Sequence, residues 1–393
     1  MIQRTAKKRL EKLHDLFKVV AVTGPRQSGK TTLVKHVFPH KPYLSLENPV
    51  TRQFAEDDPL GFLSQFPDGA ILDEVQRTPQ LFSYLQEIVD AKKDRGQFIL
   101  TGSNNFLLNE NISQSLAGRV AFLNLLPFSY EELKTGHLKE KESQQDENDY
   151  ILRGFYPPIY DMNIPSNEWL PAYIRTYIER DVRQIKNITN LLVFERFMRL
   201  LAGRTGQELN YTSLSVETGV DVKTIQSWIG ILESSYIIFL LKPFYKNYNK
   251  TIVKRPKLYF YDTGIACSLL GITQLFHLET HPLRGALFET MVLSEIVKMQ
   301  FNTGSEFKLF YWRDKTGREI DLLIDTLTTV IPIEIKGGRT FQKEFLKNIR
   351  YWMKLTGEKQ AKIIYSGDEE QKRSEGIHVV SWKHLGSLGS DGK

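Results

Sequence analysis

Gly24-Pro25-Arg26-Gln27-Ser28-Gly29-Lys30-Thr31 constrains this chain more than any other stretch, because it spells Gly, four residues, then Gly-Lys-Thr. The residues before it, 18–23 (KVVAVT), have the length and β-branched content of a buried strand, and those after it, 32–37 (TLVKHV), read as a helix. A glycine-rich turn in that setting points successive backbone N–H groups, and the positive end of the helix dipole, at one spot. That spot suits the phosphates of a nucleoside triphosphate. Lys30 is expected to reach the β- and γ-phosphates and Thr31 to place its hydroxyl on Mg²⁺, with Thr32 counted among the nucleotide-binding residues.

At 393 residues, 41% hydrophobic and 25% charged, the chain has the composition of a soluble protein of two or three domains. Its longest apolar run, YIIFLL from Tyr236, is too short to span a bilayer. The opening residues, MIQRTAKKRLEKLHDLF, are charged throughout and lack the apolar centre of a signal peptide. Cys267 is the single cysteine, which rules out an intrachain disulfide and a cysteine-rich zinc site and leads us to expect the reducing cytoplasm. A net charge of +6 permits contact with nucleic acid without demanding it.

From residue 18 to about 135, strand-like runs alternate with helical patterns, predicting a three-layer α/β domain over 1–140. The strands are expected at 19–23, 43–46, 70–72, 98–101 and 120–123, with a crossover helix at 80–93. The polar stretch 136–149 reads as a solvated linker. Helical patterns at 167–186 and 191–202 follow, then two short helices around Gly219 and an apolar strand, which suggest a helical and winged helix-turn-helix region over 150–265. The remainder, 266–393, runs helix, three strands, helix, strand, and is expected to form a second α/β domain.

Ala70-Ile71-Leu72-Asp73-Glu74 is a strand ending in two acids. Beside the phosphate loop, Asp73 is expected to hold Mg²⁺ through its water shell and Glu74 to orient or deprotonate the attacking water. Ser103 and Asn104 follow the next strand, at the end where α/β sheets bind ligands, and either sense the γ-phosphate or cap a helix near Phe106. Arg119 either stabilises charge on the transferred phosphoryl group, in cis or in a neighbouring copy of an oligomer, or makes a surface salt bridge.

A second constellation lies far downstream. Alternation along IPIEIK puts Glu334 and Lys336 on one face of a strand, and an antiparallel neighbour through Asp321 brings a second carboxylate beside them. Two converging carboxylates suit Mg²⁺, Lys336 can position or deprotonate water, and Glu289 on the preceding helix can complete the metal site. The plainer alternative is a cross-strand ion pair. An Asp followed by Glu-x-Lys on consecutive strands is the pattern of the PD-(D/E)XK nuclease core.

Between the constellations, Lys242 to Lys257 is a basic run with interleaved aromatics and no acid, placed where a winged module touches DNA or RNA backbone. The candidate recognition helix, Val222 to Leu232, carries Lys223, Thr224 and Gln226 near its start. The alternative is a packing spacer with a lysine-guarded edge strand.

The segments GPRQSGKTT, AILDEVQR, FILTGSNNF, SLAGRV, YIERDV, RPKLYFYDTGIACSLLG, GALFETMV, REIDLLI and IPIEIKG run from residue 18 to about 365. Together they resemble the bacterial and archaeal AAA-type ATPases that carry a C-terminal domain of unknown function related to PD-(D/E)XK nucleases. The resemblance implies ATP binding with hydrolysis. Two readings stand: an ATP-controlled enzyme that cleaves nucleic acid, and a slow nucleotide switch whose C-terminal region binds a partner without cutting. A transcription regulator acting through residues 222–232 alone is a third.

Overall fold

The computed structural model describes residues 2–102, 115–136, 146–177, 190–244, 255–305, 307–326 and 328–389. The chain packs as two units. One holds Met1–Phe128 with Ser234–Tyr236 and Phe301–Gly304, and the other holds Ser129–Glu233, Ile237–Gln300 and Ser305–Lys393.

The first unit is built on five parallel strands in the order β2-β3-β4-β1-β5. They are β1 (Val19–Thr23), β2 (Tyr43–Ser45), β3 (Ile71–Asp73), β4 (Phe98–Gly102) and β5 (Val120–Asn124). The helices are α1 (Lys7–Leu16), α2 (Lys30–Val37), α3 (Pro49–Asp57), α4 (Pro59–Ser64) and α5 (Leu81–Ala91). Side-chain alternation divides β1 between two cores. Val19 and Ala21 face a cluster closed by Leu81, Phe82, Leu85 and Val89 of α5. Val20 and Val22 face one closed by Leu10 and Leu13 of α1 and Leu33 and Val34 of α2. A central strand buried on both faces is why its sequence is an unbroken apolar run. The expected three layers and five strands are present.

In the rest of the chain the helices are α6 (Tyr130–Gly136), α7 (Glu147–Arg153), α8 (Pro157–Asp161), α9 (Ser166–Tyr177), α10 (Leu191–Ala202), α11 (Tyr211–Thr218), α12 (Val222–Ser234), α13 (Thr263–Leu270), α14 (Leu275–Glu279), α15 (Arg284–Thr303) and α16 (Leu346–Thr356). The strands are β6 (Ile238–Pro243), β7 (Lys257–Phe260), β8 (Lys308–Arg313), β9 (Glu319–Asp325), β10 (Val330–Lys336), β11 (Ala361–Tyr365), β12 (Gln371–Lys372) and β13 (Ile377–Ser381). All eight form one mixed sheet, ordered β12-β13-β11-β10-β9-β8-β6-β7. Trp352 and Ile349 of α16 pack on it against Trp312, Leu323 and Ile363.

Two expectations change here. The boundary at 265/266 does not divide the packing, because the two strands after the helix-turn-helix pattern join the C-terminal sheet, β6 pairing in parallel with β8 at Lys242–Phe310 and Pro243–Tyr311. The polar stretch 136–149 is not linker to its end. Asp146 caps α7 by accepting from the Asn148 and Asp149 amides at 3.0 and 3.2 Å. Glu147 is buried and accepts from Arg284 at 2.6 Å and from Ser366 at 2.5 Å. Residues 137–145 lie outside the described residues.

Candidate functional site

The phosphate loop leaves the carboxyl end of β1 and enters α2. Gly24 has φ +149°, and a Cβ there would stand 2.1 Å from the Leu125 carbonyl oxygen, so only glycine fits. Gly29, at φ 89°, makes the left-handed turn into α2, and Gln27 is held at φ 60°. Arg26 is half-buried, Pro25 buried, and Gln27 and Thr32 exposed. Lys30 is buried and donates to the Gly24 and Pro25 carbonyls at 3.0 and 2.7 Å. The Ser28 hydroxyl is fully buried and finds no partner among the described residues. Backbone N–H groups freed by left-handed turns, a buried ammonium and an unsatisfied hydroxyl are a donor set that fits a phosphate chain.

Parallel pairing carries β3 to the same edge. Thr31 donates its hydroxyl to Asp73 at 2.9 Å, Tyr43 donates at 2.7 Å, and Thr101 donates to the other carboxylate oxygen. Asp73 is therefore oriented from the first turn of α2 and from both neighbouring strands. Tyr43 and Thr101 were not among the expected site residues, because their roles depend on β2 and β4 flanking β3, and strand order is not written in local sequence. Glu74 sits at φ 56°, ψ 42°, a left-handed conformation costing about 1–3 kcal/mol for a residue other than glycine. It turns the chain sharply off the sheet edge, and its carboxylate accepts from the Gln76 amide. Thr31 and Asp73 are thus brought together, as expected of residues that could hold Mg²⁺, and Glu74 follows Asp73 directly in sequence.

Arg119 is placed elsewhere. Val120 pairs with Val19 and Asn124 with Thr23, so Arg119 precedes the amino edge of the sheet, a strand length or roughly 16 Å from the loop. There it forms a two-pronged ion pair with Asp90 at 2.5 and 2.7 Å. The phosphoryl role expected for it in cis is thus corrected to the surface salt bridge. Ser103 and Asn104 lie outside the described residues.

In the C-terminal sheet, antiparallel pairing of Ile333 with Leu322 sets Asp321 beside Glu334. Asp321 accepts from the Ile335 amide at 2.8 Å and from Lys336 at 3.2 Å, and Lys336 also pairs with Glu334. Burial and the adjacent Asp321 carboxylate push Glu334 up to about 9. Burial acts the same way on Asp321, but the Lys336 and Lys257 ammonium groups prevail and hold it below the usual range. One oxygen of Glu334, Oε1, is buried and finds no partner among the described residues.

Glu289 does not join this pair as a third ligand. Its carboxylate accepts from Tyr259 at 2.5 Å and lies 3.6 Å from the buried Lys257 ammonium, which also pairs with Glu319. Burial raises Glu289 to about 7 against the opposing pull of Lys257. Among the described residues, no three His, Cys, Asp or Glu side chains form a metal-holding group. The expected three-carboxylate centre is therefore corrected to an Asp321–Glu334 pair with Lys336, adjoined by a Lys257–Glu289–Glu319 cluster whose ammonium also acts on Asp321. The pairing of Lys257 with these carboxylates was not expected, because Lys257 closes a basic run and its partners are 32 and 62 residues further along the chain.

That placement also removes Lys257 from the basic surface expected to touch nucleic acid; Lys242 is exposed, and 245–254 lie outside the described residues. On α12, Lys223 and Gln226 are exposed, but Thr224 gives both its amide and its hydroxyl to Asp221, at 3.0 and 2.5 Å. A carboxylate thus occupies the helix start. No helix among the described residues is long and apolar enough to cross a membrane.

Residues 16–134 match an AAA domain, 144–275 the domain of unknown function DUF8612, and 284–385 the domain of unknown function DUF4143. The uncharacterized protein Rv2008c of Mycobacterium tuberculosis is 30% identical over 392 residues, covering 99% of this chain and 85% of that protein, and Mb2031c of Mycobacterium bovis gives the same values. The uncharacterized protein MJ1544 of Methanocaldococcus jannaschii is 24% identical over 78% of this chain and 72% of its own. Among solved structures, the Walker-type ATPase paby2304 of Pyrococcus abyssi aligns with 68% of this chain and 96% of its own at 16% identity and a TM-score of 0.45, too slight a likeness to bear on function. Residues 16–134 are thus an AAA domain, and the chain belongs to the family of the mycobacterial proteins Rv2008c and Mb2031c.

Proposed function

We propose that this protein is a Mg²⁺-dependent ATPase whose nucleotide state acts as a switch on its C-terminal region. The junction of phosphate loop and acidic strand carries the reading: the Thr31 hydroxyl on Asp73 at 2.9 Å, with Tyr43 and Thr101 fixing the same carboxylate. Residues from Gly24 to Thr32 bind the phosphates, Lys30 exchanging its loop carbonyls for phosphate oxygens. Thr31 and Asp73 would hold Mg²⁺, which would supply positive charge to neutralise the phosphate oxygens. Glu74 accepts the proton of the attacking water. Steady-state ATP turnover tests this. Lys30→Ala is expected to abolish nucleotide binding, and Glu74→Gln to retain binding while lowering turnover by about 10²–10⁴-fold. Full turnover in both variants sinks the proposal.

A second reading is supported by the unsatisfied Glu334 Oε1 next to Asp321 and Lys336. Here Asp321 and Glu334 bind Mg²⁺ and Lys336 positions water for phosphodiester cleavage, with α11, α12, β6 and β7 acting as a winged module on DNA or RNA. Incubating the full chain with ATP and Mg²⁺ or Mn²⁺ on duplex, single-stranded and RNA substrates decides between the two. Cleavage lost in Asp321→Ala favours the nuclease, and intact substrates leave the switch.

A further inference from the structure

Four described residues other than glycine hold positive φ: Gln27, Glu74, Asn163 and Tyr236. Two belong to the nucleotide site, and asparagine adopts this conformation readily. A bulky aromatic does not, so Tyr236 at φ 58° is a true outlier. The backbone pays for it with a buried, fully engaged ring. Tyr236 is 4% exposed, and its hydroxyl lies 2.9 Å from Asn124 Oδ1 and 3.0 Å from Thr23 Oγ1. Thr23 in turn donates to Asn124 at 2.7 Å. Burial pushes the Tyr236 phenol up to about 12, so it keeps its proton at neutral pH.

The position of this trio is telling. Thr23 ends β1 and directly precedes Gly24, and Asn124 ends β5. The Leu125 amide donates to the Thr23 carbonyl at 2.7 Å, and the Leu125 carbonyl occupies the space a Gly24 side chain would need. Any displacement of the loop at Thr23–Gly24 must move Asn124, Leu125 or Tyr236. Two hydroxyl protons serve three close oxygen–oxygen contacts, so the trio has alternative bonding arrangements, each leaving a different contact unmade. Tyr236 stands two residues beyond Ser234, the last residue of α12, and Ser234–Tyr236 packs as part of the ATPase unit.

We propose that Tyr236 is a positioning residue of the ATPase site, which holds the hinge of the phosphate loop through Thr23 and Asn124 and ties its position to the end of α12. This rests on the ATPase reading. Nucleotide binding at the loop then biases the bonding of the trio, and the bias reaches α12 through three residues of chain. By reciprocity, whatever α12 binds changes ATP affinity by the same factor.

The test uses the full chain and its Tyr236→Phe variant, which keeps the ring and removes the hydroxyl. ATP affinity is measured by titration calorimetry, and amide hydrogen exchange over 222–243 is followed with and without Mg²⁺-ATP. In the unaltered chain, nucleotide is expected to change exchange in this stretch. In the variant, ATP affinity is expected to fall about two- to tenfold, the worth of one hydrogen bond, and the nucleotide-dependent change in exchange to disappear. A purely structural tyrosine would lower the melting temperature and leave that nucleotide dependence intact. Thr23→Val removes the bond from the other side and must behave alike; it serves if Tyr236→Phe fails to fold. ATP affinity within twofold and unchanged nucleotide-dependent exchange overturn the inference alone. No ATP binding by the unaltered chain overturns the ATPase reading, and the inference with it.

Discussion

Asp73 shows how one side chain depends on three others that sequence does not connect to it. Thr31 was legible, since the loop motif names it. Tyr43 and Thr101 were not, because β2 and β4 become neighbours of β3 only once the sheet is ordered. A hydroxyl that orients a metal-holding carboxylate typically matters by about 10–100-fold in metal affinity. Tyr43→Phe removes one such donor and keeps the ring that stacks over Lys35. Its expected outcome is a rise of about tenfold or more in the Mg²⁺ concentration that half-saturates ATP turnover, with the melting temperature nearly unchanged. An unchanged Mg²⁺ requirement would assign Tyr43 to packing.

Elements decide which of the other expected residues can work together. The first strand and the phosphate loop were readable because a strand buried on both faces must be apolar throughout, and the turn after it must be glycine-rich. Arg119 was ambiguous because sequence does not show which edge of a strand faces the nucleotide. Parallel register puts it at the opposite edge, so Arg119→Ala is expected to leave ATP turnover of the isolated chain within experimental error. A large loss would require a second copy to deliver the arginine. In the C-terminal sheet, the order of helix and strands and the Asp321–Glu334 apposition were legible from alternation and turn spacing. Lys257 was not, since charge in the local sequence outweighs any sign of burial.

That apposition has a pH signature. Glu334 binds its proton more tightly in the folded chain, with a pKa of about 9 against an ordinary 4.5. Between those values the folded state holds more protons than the unfolded one, so stability falls as pH rises through the window. Glu289, raised to about 7, adds to the same trend over the lower part of it. Glu334→Gln removes the larger contribution while keeping shape. Urea denaturation across pH 5–9 is expected to show a flatter stability profile than the unaltered chain, with the variant gaining most at the alkaline end. Identical profiles would mean that Glu334 is ionised throughout.

At the scale of the whole molecule, two packing units predict two responses to one ligand. Mg²⁺-ATP at about a hundred times its dissociation constant adds about 2.7 kcal/mol to the unit that binds it. Scanning calorimetry with and without Mg²⁺-ATP is expected to move the melting of the ATPase unit upward, and Lys30→Ala to abolish the shift. A shift that survives in Lys30→Ala would place nucleotide elsewhere.

The shared sheet of the second unit bears on how such proteins evolve. Its β6 and β7 come from the segment matched at 144–275, and β8 through β13 from the segment matched at 284–385. Replacing the first segment would strip β8 of its parallel partner, and replacing the second would strip β6, in either case baring unpaired amides and carbonyls, an invitation to aggregate. The seam between the two matched segments therefore runs through a single hydrogen-bonded sheet, so neither segment completes its edge without the other.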